Sequence, residues 1–409
     1  MRSIDALGRR ARVFGPGMSL SYERPVHPVS ASGVWITEAD GTRLLDAYNN
    51  VPHVGHARPE VVEAIASQAA VLNTNTRYLV EGVLEYAERL AGLLPDPLNV
   101  VYFANSGGEA NDLAWRMART VTGKSGAIVT ANAYHGATEL TMATSPEGLA
   151  ETGARHPPWV ATLPVPDVLT QPSIEPALTR LRENQTEPAF LAVDTVFSSD
   201  GIFDPGSSLA SLGQQVRAAG GLFIADEVQA GFGRIGQELW GFAGSDVVPD
   251  IVTFGKPMGN GHPLAAVVTT PAIAEKFTER GYYFSTFAGN PVSAAAGMAV
   301  LDVLEAENLP DRADRVGEYM REAIGEIHHR SIARVRGRGQ FTGVEITNDE
   351  GEPDAAMARR LVNVMREGNV LIGATGPHSN ILKIRPPLVF SDEHADQLVA
   401  TLTAVLAVQ

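Results

Sequence analysis

The sequence contains no cysteine. Disulfide staples, thiolate nucleophiles and cysteine-based metal sites are therefore excluded, and a cytoplasmic setting is compatible with the composition. Basic residues are the next scarcity: 32 Lys and Arg face 47 Asp and Glu, for a formal net charge of −15. A surface of that sign repels nucleic acid and anionic membranes as a whole, while leaving room for a local basic pocket that takes an anionic ligand. Long apolar runs are also missing. None approaches the roughly 18–20 residues that span a bilayer, and the opening MRSIDALGRRARVFGPG has no apolar stretch of the signal-peptide kind. The expectation is a soluble cytoplasmic protein without membrane or nucleic-acid partners.

What is present is core material: 409 residues, 44% of them hydrophobic, with 40 Gly and 26 Pro to turn the chain. A chain of this length usually divides into two domains. Residues 1–45 read as an arm and a hairpin packed on the smaller domain; 33–36 and 43–45 are strand-like and flank the turn Glu38-Ala39-Asp40-Gly41. From about residue 60, helical and strand patterns alternate. Helices are predicted over 60–72, 84–94, 109–120 and 207–219, and strands over 100–103, 127–130, 190–194, 222–226 and 251–254. That alternation predicts an α/β domain over 46–290 with a mainly parallel sheet. Beyond it, helices over 292–307 and 311–328, strands over 332–337, 343–346 and 382–385, and a closing helix over 393–405 predict a smaller α+β domain, 291–409. There is no internal repeat.

Four motifs follow apolar strands, where parallel α/β sheets gather their ligands. Ala104-Asn105-Ser106-Gly107-Gly108-Glu109-Ala110-Asn111 opens a helix, and its backbone N–H groups suit an anion such as a phosphate monoester. Tyr134-His135-Gly136 offers an aromatic face that can cover a planar ring. Ala225-Asp226-Glu227-Val228-Gln229 places a carboxylate where it can meet a cation. Phe254-Gly255-Lys256-Pro257 sets a lysine among small and rigid residues, with room for a covalent partner. Each alone has an ordinary explanation: a bare glycine turn, a core Tyr, a helix-capping Asp, a solvated surface Lys. In this order at successive strand ends they fit one cofactor, a phosphorylated, cationic, aromatic aldehyde. Pyridoxal 5′-phosphate is such a group, held by a Lys Schiff base with an acidic partner for its ring nitrogen.

With these motifs the chain resembles the class III (ornithine/ω-type) aminotransferases of fold type I, from about Gly33 to the C-terminus. Asn49-Asn50-Val51-Pro52-His53-Val54-Gly55-His56, Leu72-Asn73-Thr74-Asn75-Thr76-Arg77-Tyr78 and Gly259-Asn260-Gly261-His262-Pro263 are similar to one branch of it. That branch holds the alanine–glyoxylate aminotransferase 2-like enzymes and the ethanolamine-phosphate and phosphohydroxylysine phospho-lyases. The resemblance implies that Ser106, Gly107 and Gly108 bind the cofactor phosphate, that Tyr134 stacks on the pyridine ring with His135 beside it, and that Asp226 keeps the ring nitrogen protonated. It further implies Gln229, or its neighbour Val228, near the ring oxygen, Lys256 as the Schiff-base lysine, and Thr286 reaching the phosphate of a partner subunit in a homodimer.

Three departures bear on the substrate. Gly108 stands where many relatives have a hydroxyl, and Asp194 where they usually have a Glu that gates the substrate side. Lys383 holds the position, three residues before Pro386-Pro387, of an Arg that clamps an α-carboxylate, with Arg385 nearby; the phospho-lyases tend to have Lys there too. Lysine is a point charge rather than a bidentate fork, so phosphate suits it as well as carboxylate. Asp194, Lys383 and Arg385 are thus the candidate substrate residues. The expected activity is transfer of an amino group from an amine or amino acid to a 2-oxo acid. The alternative is a lyase that eliminates phosphate and ammonia from an amino-alcohol phosphate, and the remote third reading is a non-catalytic binding protein.

Overall fold

The computed structural model describes residues 6–407; the first five residues of the expected arm lie outside them. The hairpin forms as its turn residues dictate. β1 (Pro28–Ser32), β2 (Trp35–Glu38) and β3 (Arg43–Asp46) run antiparallel, with Trp35 opposite Leu45.

The large domain is built on seven strands: β4 (Val100–Ala104), β5 (Gly126–Thr130), β6 (Val160–Leu163), β7 (Pro188–Asp194), β8 (Leu222–Asp226), β9 (Ile251–Phe254) and β10 (Ala265–Thr269). Their order is β4-β10-β9-β8-β7-β5-β6. β6, β5, β7, β8 and β9 are parallel to one another, whereas β10 runs antiparallel to both β4 and β9. Every residue of β5, β7, β9 and β10 is buried, which is why these strands read as apolar runs rather than alternations. One face is covered by the helix Gly107–Thr122 through Leu113, Trp115 and Met117. The other packs against Tyr86, Leu90, Val300 and Leu304, from the helices Glu81–Gly92 and Pro291–Ala306.

The small domain has its own sheet, β11 (Ile332–Arg338) and β12 (Phe341–Ile346) with β14 and β15, in the order β11-β12-β15-β14. β13 (Val370–Leu371) leaves it to pair in parallel with β3, and β14 (Gly373–Thr375) and β15 (Ile381–Ile384) follow. The helices Leu309–Gly325, Ala355–Glu367 and Asp392–Leu406 pack on this sheet, and Val34 and Leu45 of the hairpin join their core. The sequence reading had not placed β6, β10, β13, β14 or the helix Ala355–Glu367. Among the described residues no helix is long and apolar enough to cross a membrane.

A buried ion pair locks the hairpin to the small domain. Arg366 Nη2 donates to Glu38 Oε2 at 2.6 Å, Arg366 Nε donates to the carbonyl of Arg24 at 3.1 Å, and both charged side chains are buried. Removing one member leaves the other charge in the interior. Arg366→Ala should therefore cost about 3–5 kcal/mol, seen as a lower urea midpoint. A cost below about 1 kcal/mol would show that Glu38 finds water once its partner is gone.

Candidate active site

The parallel register brings the chemistry to one edge. Asp194 of β7 pairs with Asp226 of β8, and Asp226 pairs with Thr253 of β9. The loops leaving these carboxyl ends border a cleft of about 450 Å³. Ser106, Gly107, Gly108, Tyr134, His135, Asp194, Asp226, Val228, Gln229 and Lys256 all line it, so most of the residues expected from the sequence do meet.

Asp226 is held by three donors. Asn111 Nδ2 reaches Oδ2 at 2.8 Å, His135 Nδ1 reaches the same oxygen at 2.7 Å, and the Val228 N–H reaches Oδ1 at 3.0 Å. A carboxylate only accepts, so the His135 proton sits on Nδ1. Asn111 is fixed in turn by Thr253, whose hydroxyl donates to its Oδ1 at 2.6 Å. The edge of His135 packs against Trp115 at a centroid distance of 5.3 Å. The sequence reading missed Asn111. It lies one helical turn beyond Gly107, on the helix whose N-terminus forms the anion cradle.

Glycines let three loops close on one another. A Cβ on Gly107 would lie 2.9 Å from both Val228 methyl groups, and one on Gly255 would lie 3.0 Å from the Gly107 Cα. Gly136, at φ +144°, would place its Cβ 2.7 Å from the Gly108 Cα. Ser106 caps the helix by accepting the Glu109 N–H at 3.2 Å, which leaves its hydroxyl proton free for an anion. Lys256 is enclosed except where it opens on the cleft, and among the described residues its amine has no hydrogen-bond partner. Burial, then the positive charge of Arg385, push its pKa below the ordinary lysine value.

The Asp194 end of the cleft is organised around Ser198. The Asp194 carboxylate turns back on its own loop and accepts from the Val196 N–H (3.2 Å), the Ser198 N–H (3.0 Å) and the Ser198 hydroxyl. Gln229 Nε2 donates to Ser198 Oγ, and Gln229 Oε1 accepts from Arg385 Nη1. Lys383 Nζ donates to the Ser198 carbonyl at 3.2 Å; burial, then Arg385, bring its pKa down to about 7. Lys383 and Arg385 are not among the residues that line this cleft; Arg385 borders it through Gln229, which does. Arg385 lies 4.7 Å from the Tyr48 ring centroid and forms no ion pair among the described residues; its Nε is buried without a partner. Asp194 and Lys383 do not pair with each other. Thr286 is exposed and does not line this chain's own cleft.

An anion cradle, an aromatic lid, a fixed carboxylate and an enclosed amine of lowered basicity are what a phosphorylated pyridine aldehyde needs. The model of the class III aminotransferase family matches residues 19–406. The chain belongs to the class III aminotransferases. It is 39% identical to an alanine–glyoxylate aminotransferase 2-like protein of Drosophila melanogaster, over 99% of this chain and 88% of that one. It is 36% identical to ethanolamine-phosphate phospho-lyase homolog 1 of Caenorhabditis elegans, over 98% and 93%. Among solved structures it is similar to a phospholyase from Arthrobacter in complex with phosphoethanolamine, with a TM-score of 0.93 and 43% identity over 98% of this chain and 99% of that one. A Bacillus anthracis aminotransferase gives a TM-score of 0.88 and 27% identity over 98% of each chain. This class III chain is therefore a pyridoxal-phosphate enzyme.

The charge of Arg385 should be legible in Lys256. In the cofactor-free protein, the rate of pyridoxal phosphate incorporation should rise with pH through a pKa below that of free lysine. Removing the cation stabilises the ammonium form, so Arg385→Gln should move that pKa upward and slow incorporation near pH 7. An unmoved profile would mean that burial alone sets the amine.

Proposed function

We propose that the enzyme is a phospho-lyase, releasing phosphate and ammonia from a short amino-alcohol phosphate. The observation that carries this reading is the Arg385 guanidinium, oriented by Gln229 and paired with no carboxylate among the described residues. Asp194, the residue that could neutralise it, is occupied by its own turn. A fixed cation suits one dianionic substrate group. A transaminase must instead admit two different partners in turn. The likeness to a phospholyase in complex with phosphoethanolamine supports the same choice.

When bound, pyridoxal phosphate supplies an electron sink for the carbon next to the amine. Ser106, Gly107 and Gly108 would hold its phosphate at the helix N-terminus, with Ser106 giving a side-chain donor where Gly108 lacks a hydroxyl. Tyr134 and Val228 would cover the ring, Gln229 would lie toward the ring oxygen, and Asp226, fixed by Asn111 and His135, would meet the ring nitrogen. Lys256, which lines the cleft, would hold the cofactor aldehyde through its amine. Its lowered basicity then leaves a neutral amine that takes the proton from the amine-bearing carbon. The C–O bond at the neighbouring carbon breaks, and the phosphate leaves toward Arg385, with the partly neutralised Lys383 behind it. For phosphoethanolamine, one water completes the balance to acetaldehyde, ammonia and inorganic phosphate.

The second reading is transamination, favoured by the alanine–glyoxylate aminotransferase 2-like relative. There Lys256 would return the proton two atoms further along, across the nitrogen, and a 2-oxo acid would take up the nitrogen. Incubation with phosphoethanolamine, with and without pyruvate or 2-oxoglutarate, separates the two. Phosphate and ammonia should appear in equal amounts without any oxo acid. Oxo-acid consumption with the phosphate ester intact would sink the elimination and leave transamination. Lys256→Ala should abolish both reactions and leave no borohydride-reduced adduct in the intact mass.

A homodimer belongs to the same reading. Leu72, Tyr78, Leu79, Tyr282 and Phe287 are exposed on the segments flanking Thr286, an apolar surface of the kind that subunits cover. Thr286 then reaches the cofactor phosphate of the partner subunit. Dilution should release pyridoxal phosphate as dimers dissociate, and Thr286→Ala should release it at higher protein concentration. Equal retention by mutant and wild type would count against a shared site.

A further inference from the structure

Ser198 is fully buried, and each of its polar atoms has a partner. Its N–H donates to Asp194 at 3.0 Å. Its carbonyl accepts from Thr375 Oγ1 at 2.9 Å and from Lys383 Nζ at 3.2 Å, both on the small domain. Its hydroxyl donates to Asp194 and accepts from Gln229 Nε2. The loop that presents it is costly to form. Phe197 and Ile202 take left-handed φ values of +49° and +64°, which side chains, and β-branched ones above all, disfavour. The strain is held by hydrogen bonds from the Gly201 and Ile202 N–H groups to the Phe197 carbonyl, at 3.0 and 2.9 Å.

The directions of these bonds matter. The hydroxyl proton of Ser198 goes to Asp194, so only its lone pairs remain for Gln229. That contact selects the Nε2 end of the Gln229 amide and turns Oε1 toward Arg385, where it accepts from Nη1. The flipped amide would set Oε1 against the Ser198 lone pairs and Nε2 against a cation, two repulsive contacts in place of two hydrogen bonds. The order Arg385 to Gln229 to Ser198 to Asp194 is thus polarised in one direction.

We propose that Ser198 is a positioning residue for substrate selection: through Gln229 it aims the Arg385 guanidinium at the anionic end of the substrate. The proposal rests on the reading of Arg385 as the anion contact. It holds whether the reaction is elimination or transamination, because it concerns recognition. It also assigns Asp194 a different task from neutralising a cation, that of fixing the sense of the relay.

Ser198→Ala removes the hydroxyl and keeps the backbone bonds that hold the loop. The test is titration of the holoenzyme with phosphoethanolamine and with propylamine, which has no anionic group, read from the change in cofactor absorbance for both and from KM for phosphoethanolamine. Loss of an aimed charge-assisted contact should weaken phosphoethanolamine about tenfold or more, with propylamine and kcat changed less than about twofold. Ser198→Ala should add nothing further in an Arg385→Gln background. Gln229→Met cuts the relay from the other side. Because Gln229 also lines the cleft, only the ratio of phosphoethanolamine to propylamine affinity is read; that ratio should fall about tenfold, and it stands as the test if Ser198→Ala fails to retain cofactor. Equal losses on both amines, or full additivity with Arg385→Gln, would overturn the proposal and leave Ser198 a structural hub. A wild-type enzyme with no preference for phosphoethanolamine over propylamine would instead remove Arg385 as the anion contact, and this inference with it.

Discussion

Asp226 keeps its place at the end of β8 because Asn111, His135 and the Val228 backbone all donate to it. A buried carboxylate without donors would cost several kcal/mol, so the frame around it is a condition for the site and not an addition to it. Each donor comes from a different part of the large domain. Asn111 belongs to the helix that begins at the anion cradle, His135 to the loop after β5, and Val228 to the turn after β8. Fixing the carboxylate therefore fixes the cradle and the aromatic lid relative to it. The close glycine contacts among Gly107, Gly108, Gly136 and Gly255 do the same for the loop that carries Lys256.

The substrate end follows a different logic. Its cations come from the small domain, on and just after β15, and they meet the large domain at the Ser198 backbone carbonyl and the Gln229 side chain. Two positive groups set close together in the interior raise the cost of charging either. Lys383 yields, with its pKa brought down to about 7 by burial and by Arg385. The two residues that the sequence presents as equal candidates thereby become unequal, with Arg385 the dependable charge.

How much of this was legible depended on sequence distance. The cradle, Tyr134, Asp226 and Lys256 each follow an apolar strand, and a parallel sheet gathers such positions whatever lies between them. The α/β domain and the hairpin could be read for the same reason. Ser198 could not, because its partners Thr375 and Lys383 are 177 and 185 residues away and no periodicity links them. Asn111 stood in view within the cradle motif, but its partner Asp226 is 115 residues on. β10 escaped notice because a short apolar run does not declare its direction, and here it lies antiparallel between β4 and β9.

We propose that Asp226, held in this frame, would make a bound pyridoxal phosphate an electron sink. Single-turnover measurement on Asp226→Asn reconstituted with pyridoxal phosphate tests it most directly. The substitution keeps the shape and removes the charge facing the ring nitrogen. The cofactor should remain bound and visible, while the rate of proton removal from the substrate amine carbon, followed by loss of a deuterium label, should fall by at least about a hundredfold. Label loss at a rate close to that of the unmodified enzyme would contradict the account.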